Sequence, residues 1–529
     1  MNLSSLVSKA QNFWRITKLT RKVAAKAPVQ SGTAPVVFFN ASTRLTGISQ
    51  NAAFAMLTSM GVQMAGTPVV HFGCRAGMSR CVLGAVVAEN PTDPPPCKAC
   101  TARSEILFAN APTEWFTYEE DAELFALVNE RTTPELETLT HKGIPLGALT
   151  LPSLRWTLRR HHLQDDEPTR FLFRQFILSA YRIVTEFSAL LDKVKPQAVV
   201  VFNGIAYPEA SARWAAEQRG IRTITHEVAH QPMTAFFSHG EVTAYPVDIP
   251  DDFQLTDAQN AQLNAYLTKR FKGDFTMAGV QFWPEMKGLE GALAEKIAHF
   301  QQMVPVFTNV IFDTSQMHAN TLFPHMFAWL DQVKEIAEAH PDTLFVIRAH
   351  PDETRPGKAS VETVAAWVVD SGTGTLPNVV FIPPNEFVSS YALIEQAKFS
   401  MVYNSTIGLE AALMGKPVLN GGKARYTQVE CVFLPANAEE HRTKANELLA
   451  AETILVPPKY IDNARYFQYY QLYRTPIPFD SFLEDHETRG YVRLKKFPYF
   501  RLSPVSSKPI QVVVDGILGE GEFIMPDNR

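Results

Sequence analysis

Short apolar runs, each followed by a stretch with helical periodicity, recur along this chain and confine it to few architectures. VVFFN (36–40), VVHFG (69–73), AVVVFN (198–203) and IRTITHE (221–227) make one block. VPVFTNVIFDTS (304–315), LFVIR (344–348), VVFI (379–382), FSMVY (399–403) and PVLN (417–420) make another. Runs this short, without polar alternation, are buried on both faces, as parallel strands are when helices cover them. Helical segments such as residues 171–194 supply the cover. The alternation predicts an α/β chain of two Rossmann-like, doubly wound parallel-sheet domains facing a cleft. A length of 529 residues, 46% hydrophobic, suits two domains with appendages. The expected division is a basic amphipathic segment (1–30), a first Rossmann-like domain (31–250), a helical connector (251–300), a second Rossmann-like domain (301–455) and an irregular tail packing on the domains (456–529).

The net charge is −5, but the first 88 residues hold nine Lys/Arg and no Asp or Glu. Lys9, Arg15, Lys18, Arg21, Lys22 and Lys26 are interleaved with Leu6, Phe13, Trp14, Ile16, Leu19 and Val23. That pattern reads as a basic helix lying on an anionic membrane surface, or as a frayed tail. No aromatic–basic platform accompanies the charge, so nucleic acid is not an expected partner. No run reads as a spanning helix or a secretion signal, and the expected location is the cytoplasm, peripheral to the inner membrane face. Four of the five cysteines are grouped, Cys74 and Cys81 in GCRAGMSRC and Cys97 and Cys100 in NPTDPPPCKAC. The group reads as a four-thiolate metal site for zinc or an iron–sulfur cluster, or as four reduced thiols.

VYNSTIGLEAALMGKPVLNGG (402–422) leaves an apolar strand, turns on Asn-Ser-Thr and enters a helix. Unpaired first-turn N–H groups and the helix dipole make such a turn an anion site. Ser405 is placed to cap the helix, Thr406 and Gly408 to let an anion approach the backbone. Glu410 is placed to accept from a ribose or to complement the dipole. VIRAHPDE sets Arg348 and His350 at the end of another strand, with Pro351 holding His350 extended.

These stretches, with TNVIFDTS and FAWLDQVKEIAEAHPDTLFVIRAHPDE, resemble the carboxyl-terminal domain of bacterial capsular polysaccharide biosynthesis proteins, nucleotide-sugar glycosyltransferases of GT-B architecture. The resemblance spans roughly residues 300–430, and His-Pro followed by Ser-Thr is also similar to transferases using CMP-activated acidic sugars. It implies that His350, Ser405 and Thr406 hold the nucleotide phosphate; Arg348, Gly408 and Glu410, read from the strand end and the turn themselves, complete the expected donor site. The second domain then binds the nucleotide-sugar and the first the acceptor, a glycan or a lipid-linked sugar.

Inverting transfer needs a base for the attacking hydroxyl and charge stabilisation for the departing phosphate, without an obligatory cofactor. TITHEVAHQP places His226, Glu227 and His230 after a predicted strand, with Glu227 the first choice of base ahead of Glu209. Capsule-type transferases resemble this with an acidic residue followed by Gly, where Val228 and Ala229 follow here. A structural salt bridge is the competing role for Glu227. Ser42, Thr43 and Arg44, after the first strand, read as acceptor-binding. Gly-x-Gly-x-x-Gly spacing and a Walker lysine are missing there, which disfavours NAD and ATP chemistry. The alternatives are a CDP-polyol phosphotransferase of cell-surface polymer synthesis and a non-catalytic metal-cluster protein built on the four grouped cysteines.

Overall fold

Each apolar run named above forms a strand in the structure, a computed structural model that describes residues 3–41, 48–82, 95–272, 276–277, 280–281, 287–357, 359–488, 490–519 and 521–527. In chain order the strands are β1 (Val36–Asn40), β2 (Ile48–Ser49), β3 (Val69–Cys74), β4 (Thr113–Phe116), β5 (Ala198–Phe202), β6 (Arg222–Val228) and β7 (Thr234–His239). Then come β8 (Thr276–Met277), β9 (Val280–Gln281), β10 (Gln302–Phe307), β11 (Thr343–Arg348), β12 (Val379–Ile382), β13 (Ser400–Val402) and β14 (Val418–Asn420). β15 (Ile477–Pro478), β16 (Leu483–Asp485) and β17 (Tyr491–Leu494) close the series. The chain divides into two compact units, one of Met1–Thr157, Leu163–Tyr245 and Leu472–Arg529, the other of Leu158–His162 and Pro246–Gln471.

The first unit is built on a seven-stranded sheet in the order β15-β7-β6-β5-β1-β3-β4. The β6-β5-β1-β3-β4 portion is parallel, and β7 and β15 extend it antiparallel. Alternate residues of β1 feed opposite layers, as a pleated strand requires. Val36 and Phe38 join Phe54, Leu57, Val200 and Ile510 on one face. On the other, Phe39 stacks on Phe72 and meets Phe187 edge-on. Phe187 belongs to helix Glu167–Val194, which starts where the Asp166 side chain accepts from the Thr169 N–H and ends at Lys195 in the left-handed region. Its Phe173, Phe176, Ile177, Ala180, Ile183, Val184 and Phe187 recur every three or four residues and are buried. Phe187→Ala would cost about 3–5 kcal/mol by leaving a cavity in that layer.

Two expectations change here. Helix Leu3–Lys26 turns its apolar stripe inward, with Ile16, Leu19 and Val23 in the core of the first unit. The spacing that suited a lipid surface is therefore satisfied by protein, and the face left to solvent carries Trp14, Lys18, Arg21, Lys22 and Lys26. The stretch 456–529, expected to be irregular, contains helices Pro458–Tyr469 and Lys508–Leu518 and strands β16 and β17, which pair antiparallel with each other, β17 also pairing with β2 near the start of the chain. Ile510, Val513, Val514 and Ile517 form a helical stripe that the surrounding Pro, Tyr and Phe residues obscure in the sequence. Among the described residues no helix is long and apolar enough to cross a membrane.

The second unit carries a five-stranded, all-parallel sheet in the order β12-β11-β10-β13-β14. Met303, Val304, Val306 and Phe307 of β10 are buried in it, as expected of a central strand. Helix Met326–Ala339 covers one face through Phe327, Trp329, Leu330, Val333 and Ile336. Helix Asp257–Phe271, expected in a connector, belongs to this unit and is tied to it by Arg270.

Candidate functional site

In each unit the winding reverses beside the first strand of its parallel set. In the second unit, β11 and β12 lie to one side of β10, and β13 and β14 to the other. The gap beyond the carboxyl ends of β10 and β13 is the topological switch point, where open α/β sheets take ligands. Asn309 and Asn404 follow those two strands. Asn309 Nδ2 donates to Asn404 Oδ1 at 2.7 Å, and Asn404 Nδ2 donates to Ser315 Oγ at 3.4 Å. His350 follows β11, so it shares this edge with Ser405 two strands away, roughly 10 Å at the usual strand spacing.

His350 is held extended before Pro351 (φ −69°, ψ 130°), and its Nδ1 accepts from the Asp352 N–H at 3.1 Å. Burial lowers its pKa, against the opposing influence of Asp352 and Asp313. The neutral ring therefore carries its proton on Nε2 and acts there as a donor. Arg348 is buried, donates Nη1 to the Glu386 carbonyl at 3.2 Å, and is pushed down to about 10 by desolvation. Next to His350, burial raises the Glu353 carboxyl to about 7. Its Oε1 accepts from the Val364 N–H, and its Oε2 has no partner among the described residues.

The turn after β13 is built differently from the expectation. Thr406, not Ser405, is the N-cap of helix Ile407–Leu413, and it makes no side-chain cap bond. The Ser405 carbonyl instead accepts from the Tyr426 hydroxyl at 3.0 Å. Gly408 is demanded by that same hydroxyl, which a Cβ at this position would strike. Glu410 is engaged at both oxygens, Oε1 by Arg270 at 2.9 Å and Oε2 by the Tyr391 hydroxyl at 2.7 Å. A carboxylate so tied anchors helix Asp257–Phe271.

A second group of cations reaches this sheet edge from the short excursion Leu158–His162. Arg159, in the left-handed region at φ 59°, lays its guanidinium over the Phe312 ring at 5.1 Å, on the loop that follows β10. Burial lowers the Arg159 pKa. The Arg160 Nε is buried without a hydrogen-bond partner among the described residues. The excursion is clasped by Glu362, which accepts from the His161 N–H at 2.8 Å and from the backbone N–H and Nδ1 of His162. His162 Nε2 lies 3.3 Å from His325 Nε2, and His325 Nδ1 accepts from the Ala328 N–H. Tautomers follow: His325 carries its proton on Nε2 and donates to His162, which donates from Nδ1 to Glu362. Sequence reasoning passed over this segment, although four consecutive cationic or imidazole residues, RRHH at 159–162, were visible.

In the first unit the switch lies between β1 and β5, whose ends carry Asn40 and Asn203. Asn203, left-handed at φ 56°, donates Nδ2 to Glu227 Oε2 at 2.9 Å. Asn51 donates to Glu227 Oε1 at 2.8 Å, and the Val228 N–H donates to the same oxygen at 2.8 Å. These partners of Glu227 are amides, so the alternative of a structural salt bridge is not what these contacts form. Asn40 turns to His71, 3.2 Å from Nδ1, and His226 is buried with its pKa lowered to about 3. Glu209, in the first turn of helix Tyr207–Glu217, is buried and raised to about 8, which makes it a neutral acid at pH 7. Ser42, Thr43 and Arg44 lie outside the described residues. Cys74, Cys81, Cys97 and Cys100 are half-buried thiols of the first unit, outside any disulfide. Among the described residues, the His/Cys/Asp/Glu group with ligand atoms within 4.8 Å of one another is Asp121, Glu123 and His141, not the cysteines.

Residues 287–453 match the family described as capsule polysaccharide biosynthesis protein. The chain is similar to the KpsC beta Kdo 2,4 transferase of Thermosulfurimonas dismutans, at 11% identity over 56% of this chain and 84% of that one, TM-score 0.34. It is also similar to the KpsC beta Kdo 2,7 transferase of the same organism, at 13% identity over 59% and 85%, TM-score 0.32. S. aureus MnaA in a co-structure with UDP aligns at 10% identity over 83% and 92%, TM-score 0.27. Among curated protein sequences no match is found.

Proposed function

With residues 287–453 a capsule polysaccharide biosynthesis segment, we propose that this chain is a glycosyltransferase. In this reading it moves a sugar from a nucleotide-sugar donor, CMP-activated in the finer form, to a glycan or lipid-linked acceptor. The observation that carries it is His350, a neutral N–H donor on the carboxyl edge of the β10–β14 sheet inside the matched segment. Fixed donors and cations at such an edge stabilise the negative charge that develops on a leaving phosphate. The donor phosphate would meet His350 Nε2–H, Arg159 and Arg160, with Ser405 and Thr406 on the same edge.

The first unit would supply the base. Glu227 takes the proton of the acceptor hydroxyl while the new C–O bond forms at the anomeric carbon. The bond from that carbon to the phosphate oxygen breaks, and its electron pair leaves with the nucleotide. Asn51 and Asn203 hold the carboxylate in one orientation and act as positioning residues. Glu209, protonated at neutral pH, would be a hydrogen-bond donor to the acceptor rather than a base. The solvent face of helix Leu3–Lys26, with Lys18, Arg21 and Lys22 beside Trp14, would keep the enzyme near an anionic membrane surface through charge.

A thermal-shift panel of CMP, UDP and GDP tests the reading. CMP is expected to protect the protein most, and His350→Ala to abolish the shift. No protection by any nucleotide would overturn the transferase. Protection that survives His350→Ala would remove His350 from the donor site.

A further inference from the structure

Four thiols stand apart from the chemistry above, and the fold brings them to one place in the first unit. Cys74 is the last residue of β3, in register with Phe116 on β4. The chain after it curls back over the sulfur. Ala76 is left-handed at φ 54°, and the Gly77 N–H donates to Cys74 Sγ at 3.2 Å. Gly77 is required there because a Cβ would run into the Phe116 ring. The Gly77 N–H favours the thiolate, but burial outweighs it and pushes the Cys74 thiol up to about 12, so a bound cation is what would let this sulfur carry negative charge.

The remaining thiols are carried to the same corner by pinned elements. Cys97 and Cys100 occupy the first turn of helix Cys97–Leu107, three residues apart and so on one face. Arg75 ties that helix to the end of β3 through Glu105 at 3.0 Å, while its guanidinium covers the Trp115 ring at 4.8 Å. Cys81 follows Arg80, whose carbonyl accepts from the Tyr207 hydroxyl. Ser79 is fixed by its N–H bond to Ser179 Oγ at 3.1 Å. Cys81, Cys97 and Cys100 all lie within Coulombic reach of the Cys74 sulfur. None is in a disulfide, and none is fully exposed.

From this convergence of four thiols around the carboxyl end of β3, we infer that the first unit binds a 4Fe–4S cluster through Cys74, Cys81, Cys97 and Cys100. A single zinc ion would draw four sulfurs to about 3.8 Å from one another, the edge of a tetrahedron with Zn–S near 2.3 Å. No three of these ligand atoms come within 4.8 Å among the described residues. A cubane, whose thiolates sit on separate irons, takes the wider spacing. The Gly77 N–H would remain on the Cys74 sulfur, the kind of bond that sets a cluster's potential. Cys74 is three strands from Glu227 in the sheet order β6-β5-β1-β3, roughly 14 Å. The cluster therefore takes no part in transfer and holds the loop after β3 against helix Cys97–Leu107.

The full chain, purified without oxygen, is incubated with ferric iron, sulfide and excess thiol, which reduces half of the iron to the mixed-valence state, then desalted. Iron and acid-labile sulfide are expected in equal amounts at one cubane per chain, with broad visible absorbance bleached by dithionite. Cys100→Ser, in the first turn of its helix, is expected to lose the absorbance while keeping the wild-type circular dichroism. Cys431→Ser, a buried cysteine of the other unit, is expected to keep the cluster. Stoichiometric zinc that iron and sulfide do not replace would overturn the inference. So would no iron uptake, or uptake that survives both Cys100→Ser and Cys97→Ser.

Discussion

The two units answer one topological problem with opposite electrostatics. Each reverses its winding beside a central strand, and each sets asparagines at the strand ends flanking the reversal, Asn40 and Asn203 in one, Asn309 and Asn404 in the other. In the first unit, amide donors from Asn203 and Asn51 gather on a carboxylate, Glu227. In the second, the asparagines bond each other, and the neighbouring groups are a neutral imidazole and arginines. An edge built around a carboxylate can accept a proton, and one built around donors and cations can hold a phosphate. The difference teaches that the shared sheet only fixes where chemistry happens, and that a few side chains past each strand decide its sign.

The strongest way to break the contrast is Glu227→Gln. Turnover of a nucleotide-sugar in a coupled release assay is expected to fall about 10²–10⁴-fold, the usual worth of a positioned base. Nucleotide protection should be untouched. A variant that turns over normally, or that loses nucleotide binding, would erase the division between the edges.

Glu353 offers a test on the second unit alone. Its folded pKa is raised from 4.5 to about 7, so the protonated form is favoured in the native state. The stability linked to that proton is complete below pH 4.5 and is lost as pH rises toward 7. Glu353→Gln, which keeps the neutral shape, should therefore stabilise at pH 8 by up to about 3 kcal/mol and be near neutral at pH 4, read by urea melts. Equal effects at both pH values would mean the carboxyl is ionised when folded. Glu209 in the first unit, raised to about 8, should behave alike, so here the two units converge.

His350→Ala should weaken nucleotide binding by about 2 kcal/mol, the value of a hydrogen bond to a charged group, measured by calorimetry; that is enough to remove the thermal shift at nucleotide concentrations a few-fold above the wild-type Kd, where the panel is run. Arg160→Ala should cost about tenfold in the same titration and flatten its dependence on salt. Its melting temperature should not fall, since the guanidinium Nε it removes has no partner among the described residues. An Arg160 variant that binds nucleotide as tightly as wild type would take the 158–162 excursion out of the donor edge.

The strands were readable because nothing interrupts them. VVFFN is β1 residue for residue, and the parallel order follows from helices between short buried runs. The helix Leu3–Lys26 was harder, since Ile16, Leu19 and Val23 have the spacing that either a bilayer or a core would accept. The Asn-Ser-Thr turn was legible as a strand-to-helix corner. The functions assigned to Gly408 and Glu410 were not safe there, because their partners Tyr426, Arg270 and Tyr391 lie far along the chain. The asparagines carried a usable signal: VVFFN, VVVFN, VFTN and MVYN each set an asparagine at a strand's last residue or within two residues after it. Only the strand order reveals that those four ends flank the two reversals.

The interleaving of the units fixes an order of events at the ribosome. Helix Leu3–Lys26 and β1 emerge well before Ile477, Phe479, Ile510 and Val513, which close the core around them. Between them the 246–471 portion is synthesised whole, lacking only the five residues of the earlier excursion, which have already appeared. Nascent chains should therefore complete the later unit before the earlier one, the reverse of the usual amino-terminal-first sequence. Until Lys508–Leu518 arrives, the amino-terminal half carries an uncovered apolar sheet face.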